Sequence, residues 1–391
     1  MDSRVQSLGY RLFDADNHYY EPEDAFLRYL DPAIKHNAPR WVQMEDNGQR
    51  RLLFGDRMNR FMGADHTFSK VGQPGLFADK GPGEKGSYGE LEDCRPEFRE
   101  RAARLAWMDE QGVEAALLFP SLALSCEQLF VDDVTATYAN LHAFNRWLDD
   151  DWGFNHQDRI YGVPLVSLLD PLRAVDALEF VLERNAPVVL LRAGPVGGRS
   201  PADPSYDRFW KTIVDADAAV SYHATDDGYR HQMGELWGWG NVNVPARNIP
   251  PIQHIIGGNS RCIHDTFAAL LYGKVFERFP TLRVSAIELG MSWVPGLIQN
   301  LEQYGQGDLA EHPIETFRRQ VWVNPFETED IAGLATLIGT DRIMFGSDWP
   351  HTDGLAEPVT YKDALESFDE VAVRKIMYDN ARGFVGGPAQ S

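Results

Sequence analysis

The sequence predicts a (β/α)8 barrel, a TIM barrel, with long insertions after strands 1 and 5. Eight short apolar or β-branched runs alternate with longer amphipathic segments, which is the pattern of an α/β protein. The length of 391 residues fits one barrel with insertions. An open doubly wound sheet is the alternative. However, no Gly-x-Gly-x-x-Gly fingerprint follows the first run, so a dinucleotide site is not supported.

The elements follow in order along the chain. Apolar runs bounded by polar or turn residues predict strands at residues 11–18, 113–120, 160–167, 188–193, 219–223, 282–288, 321–324 and 342–348. Amphipathic segments predict helices at residues 97–111, 134–151, 171–184, 206–216, 264–279, 292–304, 329–338 and 371–384.

Two connections are too long for ordinary barrel loops, at about residues 22–96 and 225–261. The first is rich in Gly and Pro, and the second carries Tyr229, Trp237 and Trp239. Both follow the carboxyl end of a predicted strand, where barrel enzymes place their active sites. We interpret them as lids within a single domain spanning residues 1–391. Contact surfaces of a homo-oligomer are the alternative.

Composition excludes several classes of function. The net charge of −21 disfavours nucleic-acid and anionic-membrane binding, which call for basic patches. Three cysteines without a Cys-x-x-Cys spacing indicate neither a disulfide framework nor a thiolate zinc site. The sequence has no long apolar run and no apolar stretch typical of a signal peptide near its start. We therefore expect a cytoplasmic enzyme that acts on a small molecule.

Acidic and imidazole side chains stand at the carboxyl ends of several predicted strands. They are Asp16 and His18 on the first, His223 on the fifth, Glu288 on the sixth and Asp348 on the eighth. A barrel brings these ends together, and carboxylates that converge without a lysine require a cation. The alternatives are that an aspartate caps the next helix and that a histidine is a satisfied core residue.

Two further residues are candidate ligands. Glu21 follows the first strand and could reach back, although Glu-Pro can simply begin a turn. His264 opens a predicted helix after the second insertion, although His264-Asp265 can simply begin that helix. We predict no role for His231, His254 or His351, which lie in loops.

Three residues are candidate substrate contacts. Trp293 and Trp349 could line the barrel mouth. Arg192, at the end of the fourth strand, could bind a carboxylate or phosphate of the substrate, or form a salt bridge to an acid of the site.

These motifs together resemble the amidohydrolase-related superfamily of metal-dependent barrel hydrolases and decarboxylases. The resemblance rests on Asp16-x-His18, His223, Glu288 and the run Gly-Ser-Asp-Trp-Pro at 346–350, with support from residues 272–280 and 380–384. It implies that Asp16, His18, His223 and Asp348 are metal ligands.

Departures from the family pattern affect the expected chemistry. The first strand has Asp16 where the family usually has His or Glu, and the sixth has Glu288 where the decarboxylases use an acid–base His. The fourth strand ends in Leu191-Arg192 and lacks the lysine of the dinuclear hydrolases. A carboxylate-rich set suits iron or manganese better than tetrahedral zinc.

The sequence is also similar to a branch of nonheme diiron monooxygenases of platensimycin- and platencin-type diterpenoid biosynthesis. That resemblance implies two iron ions, O2, an external electron donor and hydroxylation of a bulky apolar, CoA-linked substrate of antibiotic biosynthesis. The alternative is a hydrolase or nonoxidative decarboxylase with one zinc or manganese ion, in which Glu288 and His223 are catalytic. A barrel that has lost its metal and only binds a ligand is a third hypothesis.

Overall fold

The computed structural model describes residues 8–44, 50–59, 68–77, 91–239, 250–305 and 307–386. The strands are β1 (Leu12–Tyr19), β2 (Pro39–Gln43), β3 (Arg50–Phe54), β4 (Arg57–Met58), β5 (Lys70–Val71), β6 (Glu92–Asp93), β7 (Val113–Pro120), β8 (Ile160–Gly162), β9 (Leu165–Val166), β10 (Val188–Leu191), β11 (Ala219–His223), β12 (Arg283–Ile287) and β13 (Val321–Val323).

The α-helices alternate with the longer strands. They are α1 (Asp24–Leu27), α2 (Arg101–Gln111), α3 (Cys126–Leu129), α4 (Val134–Asp151), α5 (Pro171–Leu182), α6 (Asp207–Asp215), α7 (Tyr229–Leu236), α8 (Pro251–Gly257), α9 (Asn259–Tyr272), α10 (Val275–Arg278), α11 (Trp293–Tyr304), α12 (Pro313–Gln320), α13 (Ile331–Ile338), α14 (Glu370–Arg374) and α15 (Asn380–Phe384). Short 3-10 turns cover Pro32–Asn37, Pro96–Phe98, Ala123–Ser125, Pro204–Tyr206, Thr340–Arg342 and Pro358–Leu365, and a π-helical turn covers Lys375–Asp379.

Parallel strands form the wall of the barrel. One sheet has the order β1-β7-β8, and a second has the order β13-β12-β11-β10-β9. The strands β8 and β9 are two halves of one predicted strand, interrupted at Pro164. Backbone hydrogen bonds from Val163 to Leu118 (3.0 Å) and from Leu190 to Pro164 (2.8 Å) continue the wall across the interruption.

Residues 343–348 of the predicted eighth strand (342–348) lie between β13 and β1, while Arg342 belongs to the preceding 3-10 turn. The Met344 amide donates to the Val323 carbonyl (3.0 Å), and the Ala15 amide donates to Phe345 (2.9 Å). Single bridges therefore take the place of a regular ladder at this seam. The predicted (β/α)8 barrel is confirmed, with an irregular eighth strand.

The helices begin where the sequence supplies capping residues. Asp133, Asp170 and Asp330 each accept a hydrogen bond from a backbone amide in the first turn of the helix that follows. The predicted helix at 264–279 is instead two helices, α9 and α10, because Gly273 ends the first and Lys274 adopts a left-handed conformation (φ 61°). The predicted helix at 371–384 is divided by the π-helical turn.

Both insertions carry structure of their own. The first contains the antiparallel sheets β2-β3-β4 and β5-β6, and Phe54 packs edge-on against Phe26 and Phe130 beside the barrel. The second contains α7 and α8. Residues 45–49, 60–67, 78–90 and 240–249 of the two insertions lie outside the described part. Within the described residues, we find no helix with the length and apolarity needed to cross a bilayer.

Candidate metal centre

Strand β1 places Asp16 and His18 side by side in the barrel. Asp14 pairs with Ala116 and Asn17 with Leu118, so β1 has one residue more than β7 between these pairs and forms a bulge. Asp16 lies in this bulge and His18 just beyond it. Both side chains are buried, and Asp16 Oδ1 lies 3.3 Å from His18 Nε2.

Strands β11 and β12 add His223 and Glu288. His223 pairs with Ile287 across the two strands, so Glu288 follows directly at the same end of the sheet. His223 Nε2 lies 3.2 Å from Asp16 Oδ1 and 3.3 Å from Glu288 Oε2. One ligand atom from each of Asp16, His18, His223 and Glu288 lies within 4.8 Å of all the others, which is close enough for a shared ion.

Both imidazoles are oriented by backbone carbonyls. His18 Nδ1 lies 3.0 Å from the Pro120 carbonyl, and His223 Nδ1 lies 3.0 Å from the Ala224 carbonyl. A ring that donates its Nδ1 proton to a carbonyl presents the Nε2 lone pair on its other side, as metal-binding histidines do. Across the described residues, His18 Nε2 is buried and has no hydrogen-bond partner. These donors therefore fit a divalent cation.

Burial and neighbouring charges shift the pKa values of the cluster. Burial and the nearby His351 lower the pKa of His18 to about 3. Burial alone raises the pKa of Asp16, but contacts with His18 and His223 outweigh it and hold that pKa well below its usual range. Burial and the charge of Asp348 raise the pKa of Glu288 well above its usual value. Carboxylates gathered in this way favour a bound cation.

The irregular eighth strand contributes Asp348, and the loop that follows it contributes His351. Asp348 Oδ1 lies 3.4 Å from His18 Nε2 and 2.7 Å from His351 Nδ1, so these three residues form a second group of possible ligands. His351, for which the sequence predicts no role, thus belongs to this group, and its ring centre lies 4.0 Å from that of His18. The signal in the sequence was its position three residues after Asp348.

Hydrogen bonding fixes the orientation of His351. The Ser121 hydroxyl donates to the Tyr19 carbonyl (2.8 Å), so its oxygen accepts from His351 Nε2 (2.8 Å). This leaves His351 Nδ1 directed at Asp348.

Two of these residues have strained backbones. Glu288 has φ of 54° and Asp348 has φ of 55°, in the left-handed region that non-glycine residues rarely adopt. Such strain is typical of functional sites, where the surrounding structure holds a side chain in a required direction.

The structure does not bring Glu21 to the cluster. Its buried carboxylate accepts hydrogen bonds from the backbone amides of Ser121, Leu122 and Ala123 at 3.0–3.1 Å. Among the described residues, neither group of possible ligands includes it. Glu21 therefore anchors the loop after β7, and the expectation of a ligand is corrected.

Replacement of Glu21 by glutamine tests this anchor. We expect a loss of about 1–3 kcal/mol in the free energy of unfolding, because the amide group turns a donor toward backbone donors. Denaturant unfolding measures this loss, and the number of metal ions bound per chain is expected to stay the same. Glu23→Gln, at an exposed position, is the matched control. A Glu21→Gln variant of normal stability that loses its metal would contradict the assignment.

His264 also lies elsewhere. Its Nδ1 contacts Asp265 (2.9 Å) and its Nε2 contacts Asn300 (3.4 Å), in a surface cavity of about 670 Å³ between α9 and α11. Among the described residues, His264 belongs to neither ligand group. It lies on the surface of α9 instead of at the cluster.

Arg192 forms a salt bridge, but to an acid outside the cluster. Its Nε lies 3.6 Å from Glu127 Oε1, and its Nη1 donates to Gln128 (2.9 Å) and to the Asp227 carbonyl (2.7 Å). The guanidinium holds the start of the second insertion against β10, and its acid partner is Glu127 rather than a residue of the cluster.

Neither predicted tryptophan lines the mouth. Trp293 is buried, donates to the Gly290 carbonyl (2.9 Å) and stacks on Phe267 in the helical layer. Trp349 is buried and stacks on Trp107 with ring centres 3.6 Å apart. Both rings are therefore buried against other aromatic side chains and do not line the mouth of the barrel.

Comparison with known proteins identifies similar chains. The model of the family described as amidohydrolase (Amidohydro_2) matches residues 1–387. The crystal structure of an amidohydrolase from Mycobacterium avium subsp. paratuberculosis K-10 is 38% identical with a TM-score of 0.86, over 96% of this chain and 99% of that chain.

More distant similarity is to decarboxylases. The 5-carboxyvanillate decarboxylase of Sphingomonas paucimobilis is 16% identical with a TM-score of 0.61, over 97% of this chain and 99% of that one. The dihydroxybenzoic acid decarboxylase of Polaromonas sp. JS666, solved with manganese and 2-nitroresorcinol, is 14% identical with a TM-score of 0.58, over 96% and 97% of the two chains. At these identities the likeness shows the fold alone.

A curated relative matches over part of its length. The 2-amino-3-carboxymuconate-6-semialdehyde decarboxylase of Dictyostelium discoideum is 24% identical over 214 residues, which are 53% of this chain and 55% of that enzyme. The chain thus matches about half the length of this relative.

Proposed function

We propose that this chain, which belongs to the amidohydrolase family, is a metal-dependent enzyme that cleaves a bond at a carboxyl or carbonyl carbon of a small molecule without O2. The reaction class is decarboxylation or hydrolysis. The observation that carries the proposal is the group of buried Asp16, His18 and His223 with half-buried Glu288, whose ligand atoms converge within 4.8 Å.

The proposed ligands of the ion are Asp16, His18 and His223 of that group, together with Asp348, whose Oδ1 lies 3.4 Å from His18 Nε2. His18 and His223 each direct only Nε2 at the cluster, and His18 is shared by both ligand groups, which favours one ion over two. The fourth strand adds no lysine, and Arg192 at its end is already paired. The carboxylate oxygens of this set suit manganese. The Polaromonas decarboxylase with bound manganese supports the choice of manganese.

Glu288 is the proposed proton-transfer residue. A divalent ion, when bound, supplies Lewis-acid activation of water or of a substrate oxygen. Glu288 retains 25% of its side-chain exposure, whereas Asp16 and His18 are buried, so a substrate can reach it. Burial and the charge of Asp348 raise its pKa above the usual value of a glutamate, which favours a carboxyl group that can both hold and release a proton. As base it deprotonates attacking water, and as acid it protonates the carbon that loses CO2.

A diiron monooxygenase is the second functional hypothesis for the same ligands. The observation in its favour is the excess of carboxylates, since Asp16, Glu288 and Asp348 together could hold two ions. It also requires a CoA-linked apolar substrate, an electron donor and O2. The relatives named above are amidohydrolases and decarboxylases, which supports hydrolysis or decarboxylation instead.

Turnover under argon distinguishes a hydrolase or decarboxylase from a monooxygenase. The manganese-loaded chain is incubated with a panel of carboxylated phenols and of amides, esters and lactones, in argon and in air, with the metal-stripped chain as the control. We expect release of CO2 or of a hydrolysis product at equal rates in both atmospheres. Turnover only in air with iron and a reductant, with oxygen from ¹⁸O2 in the product, would refute the proposal.

A further inference from the structure

A fully buried chain of polar residues lies behind the metal ligands, at the seam between β1 and the eighth strand. Its members are Arg104, Asn17, Asp14 and Ser347, each 0–1% exposed. None of them belongs to either ligand group among the described residues. A buried arginine and aspartate are costly unless their hydrogen bonds are satisfied, so their placement calls for a reason.

Asp14 joins the two strands. Its Oδ1 accepts from the Ser347 amide (2.9 Å) and from the Asp16 amide (3.2 Å). Its Oδ2 accepts from the Ser347 hydroxyl (2.5 Å) and from Asn17 Nδ2 (2.9 Å). One carboxylate thus holds the backbone beside Asp16 on β1 and beside Asp348 on the eighth strand.

Arg104 completes the chain from α2. Its Nη1 donates to Asn17 Oδ1 and its Nη2 donates to the His18 carbonyl (2.7 Å), while Nε donates to the Glu97 carbonyl (2.7 Å). The Asn17 amide therefore lies between the guanidinium and the Asp14 carboxylate, with its oxygen toward the first and its nitrogen toward the second.

The seam is where such support is needed. Regular ladder pairing is replaced there by the single bridge between Asn17 and Trp349. Three backbone hydrogen bonds cross the seam, from Ala15 to Phe345, from Asp348 to Asp16 and from His18 to Trp349. The strands also approach closely, since a Cβ on Gly346 would lie 2.3 Å from the Cβ of Asp16. A small shift along this seam would change the spacing between Asp16, His18 and Asp348.

We infer that Arg104, Asn17, Asp14 and Ser347 form a positioning network that sets the spacing of Asp16, His18 and Asp348 and thereby the affinity of the site for a divalent ion. Hydrogen-bonded residues behind metal ligands commonly determine affinity in this way. The inference rests on the metal site of the proposed function and adds to it residues that touch neither metal nor substrate.

Metal affinity measured at matched stability tests the inference. Ser347→Ala removes one hydrogen bond of the network, and Arg104→Met removes its cation. Arg382→Met is the control. Arg382 is also buried and hydrogen-bonded, to Glu114 (3.2 Å) and to Tyr161 (2.8 Å). Glu114 is near the start of β7, at the end of that strand away from the metal ligands, so Arg382 lies outside the network. Mn²⁺ dissociation constants are measured by calorimetry on the folded full-length chains, and Co²⁺ absorption spectra report ligand geometry.

We expect Ser347→Ala and Arg104→Met to raise the Mn²⁺ dissociation constant about 10–100-fold and to alter the Co²⁺ spectrum. Arg382→Met is expected to lower stability with the dissociation constant within about twofold of the original chain. If Arg104→Met does not fold, Ser347→Ala decides alone. Unchanged affinity and spectrum in Ser347→Ala overturn the network while leaving the proposed function intact. An unaltered chain that binds neither Mn²⁺ nor Co²⁺ overturns both.

Discussion

Replacement of His223 by alanine is expected to weaken Mn²⁺ binding by more than about 100-fold and to reduce turnover accordingly. His223 supplies one of the two imidazole nitrogens that face the cluster, at 3.2 Å from Asp16 and 3.3 Å from Glu288. Loss of a direct ligand should exceed the 10–100-fold cost of changing a residue behind a ligand. Metal content after dialysis and calorimetric titration measure the loss.

His264→Ala is the matched control for this prediction. His264 lies between α9 and α11 and contacts Asp265 and Asn300 instead of the cluster. Its removal is expected to leave metal content and dissociation constant unchanged. Equal metal loss in the two variants would mean that His264 is a ligand and that the assignment of the site is wrong.

Replacement of Glu288 by glutamine is expected to reduce kcat by about 10²–10⁴-fold, the usual contribution of a general acid or base. The amide keeps the shape of the side chain but cannot exchange a proton. We expect KM and the Mn²⁺ dissociation constant to change by less than about tenfold, because Asp16, His18, His223 and Asp348 remain. Steady-state kinetics under argon and calorimetry separate the two effects.

Glu114→Gln, near the start of β7, serves as the control and should leave kcat unchanged. If Glu288→Gln loses metal as severely as His223→Ala, then Glu288 is a ligand and another group transfers the proton.

The barrel could be predicted because its strands are buried and its helices are amphipathic. Seven of the eight predicted strand runs contain regular strand in the structure, and the eighth lies in its place without a ladder. The irregularity could not be predicted, since it depends on the close approach of Gly346 to Asp16 and on the left-handed backbone of Asp348. Both are tertiary features with no local periodicity.

Part of the candidate site could also be predicted, because it follows from the topology of the barrel. Parallel strands bring their carboxyl ends together, so Asp16, His18, His223, Glu288 and Asp348 converge by topology. The destinations of Glu21 and His264 depend on side-chain partners instead: three backbone amides for Glu21, and Asp265 and Asn300 for His264. His351 was missed because a loop residue has no periodicity to indicate where it points.

The substrate contacts could not be predicted from residue type. Arg192 has the chemistry to bind a carboxylate, but buried Glu127 lies beside it. Trp293 and Trp349 have the surface to bind an apolar ligand, but Phe267 and Trp107 stack on them. In each case the side chain contacts a residue that is distant in the sequence, and residue type alone does not indicate such a contact.

Anomalous scattering from a crystal of the manganese-loaded chain locates the bound ion. We predict one strong peak within coordination distance of Asp16 Oδ1, His18 Nε2 and His223 Nε2. Absence of a peak there at saturating manganese would contradict the metal site. Two peaks bridged by Glu288 or Asp348 would contradict the single-ion assignment and favour the dinuclear oxygenase.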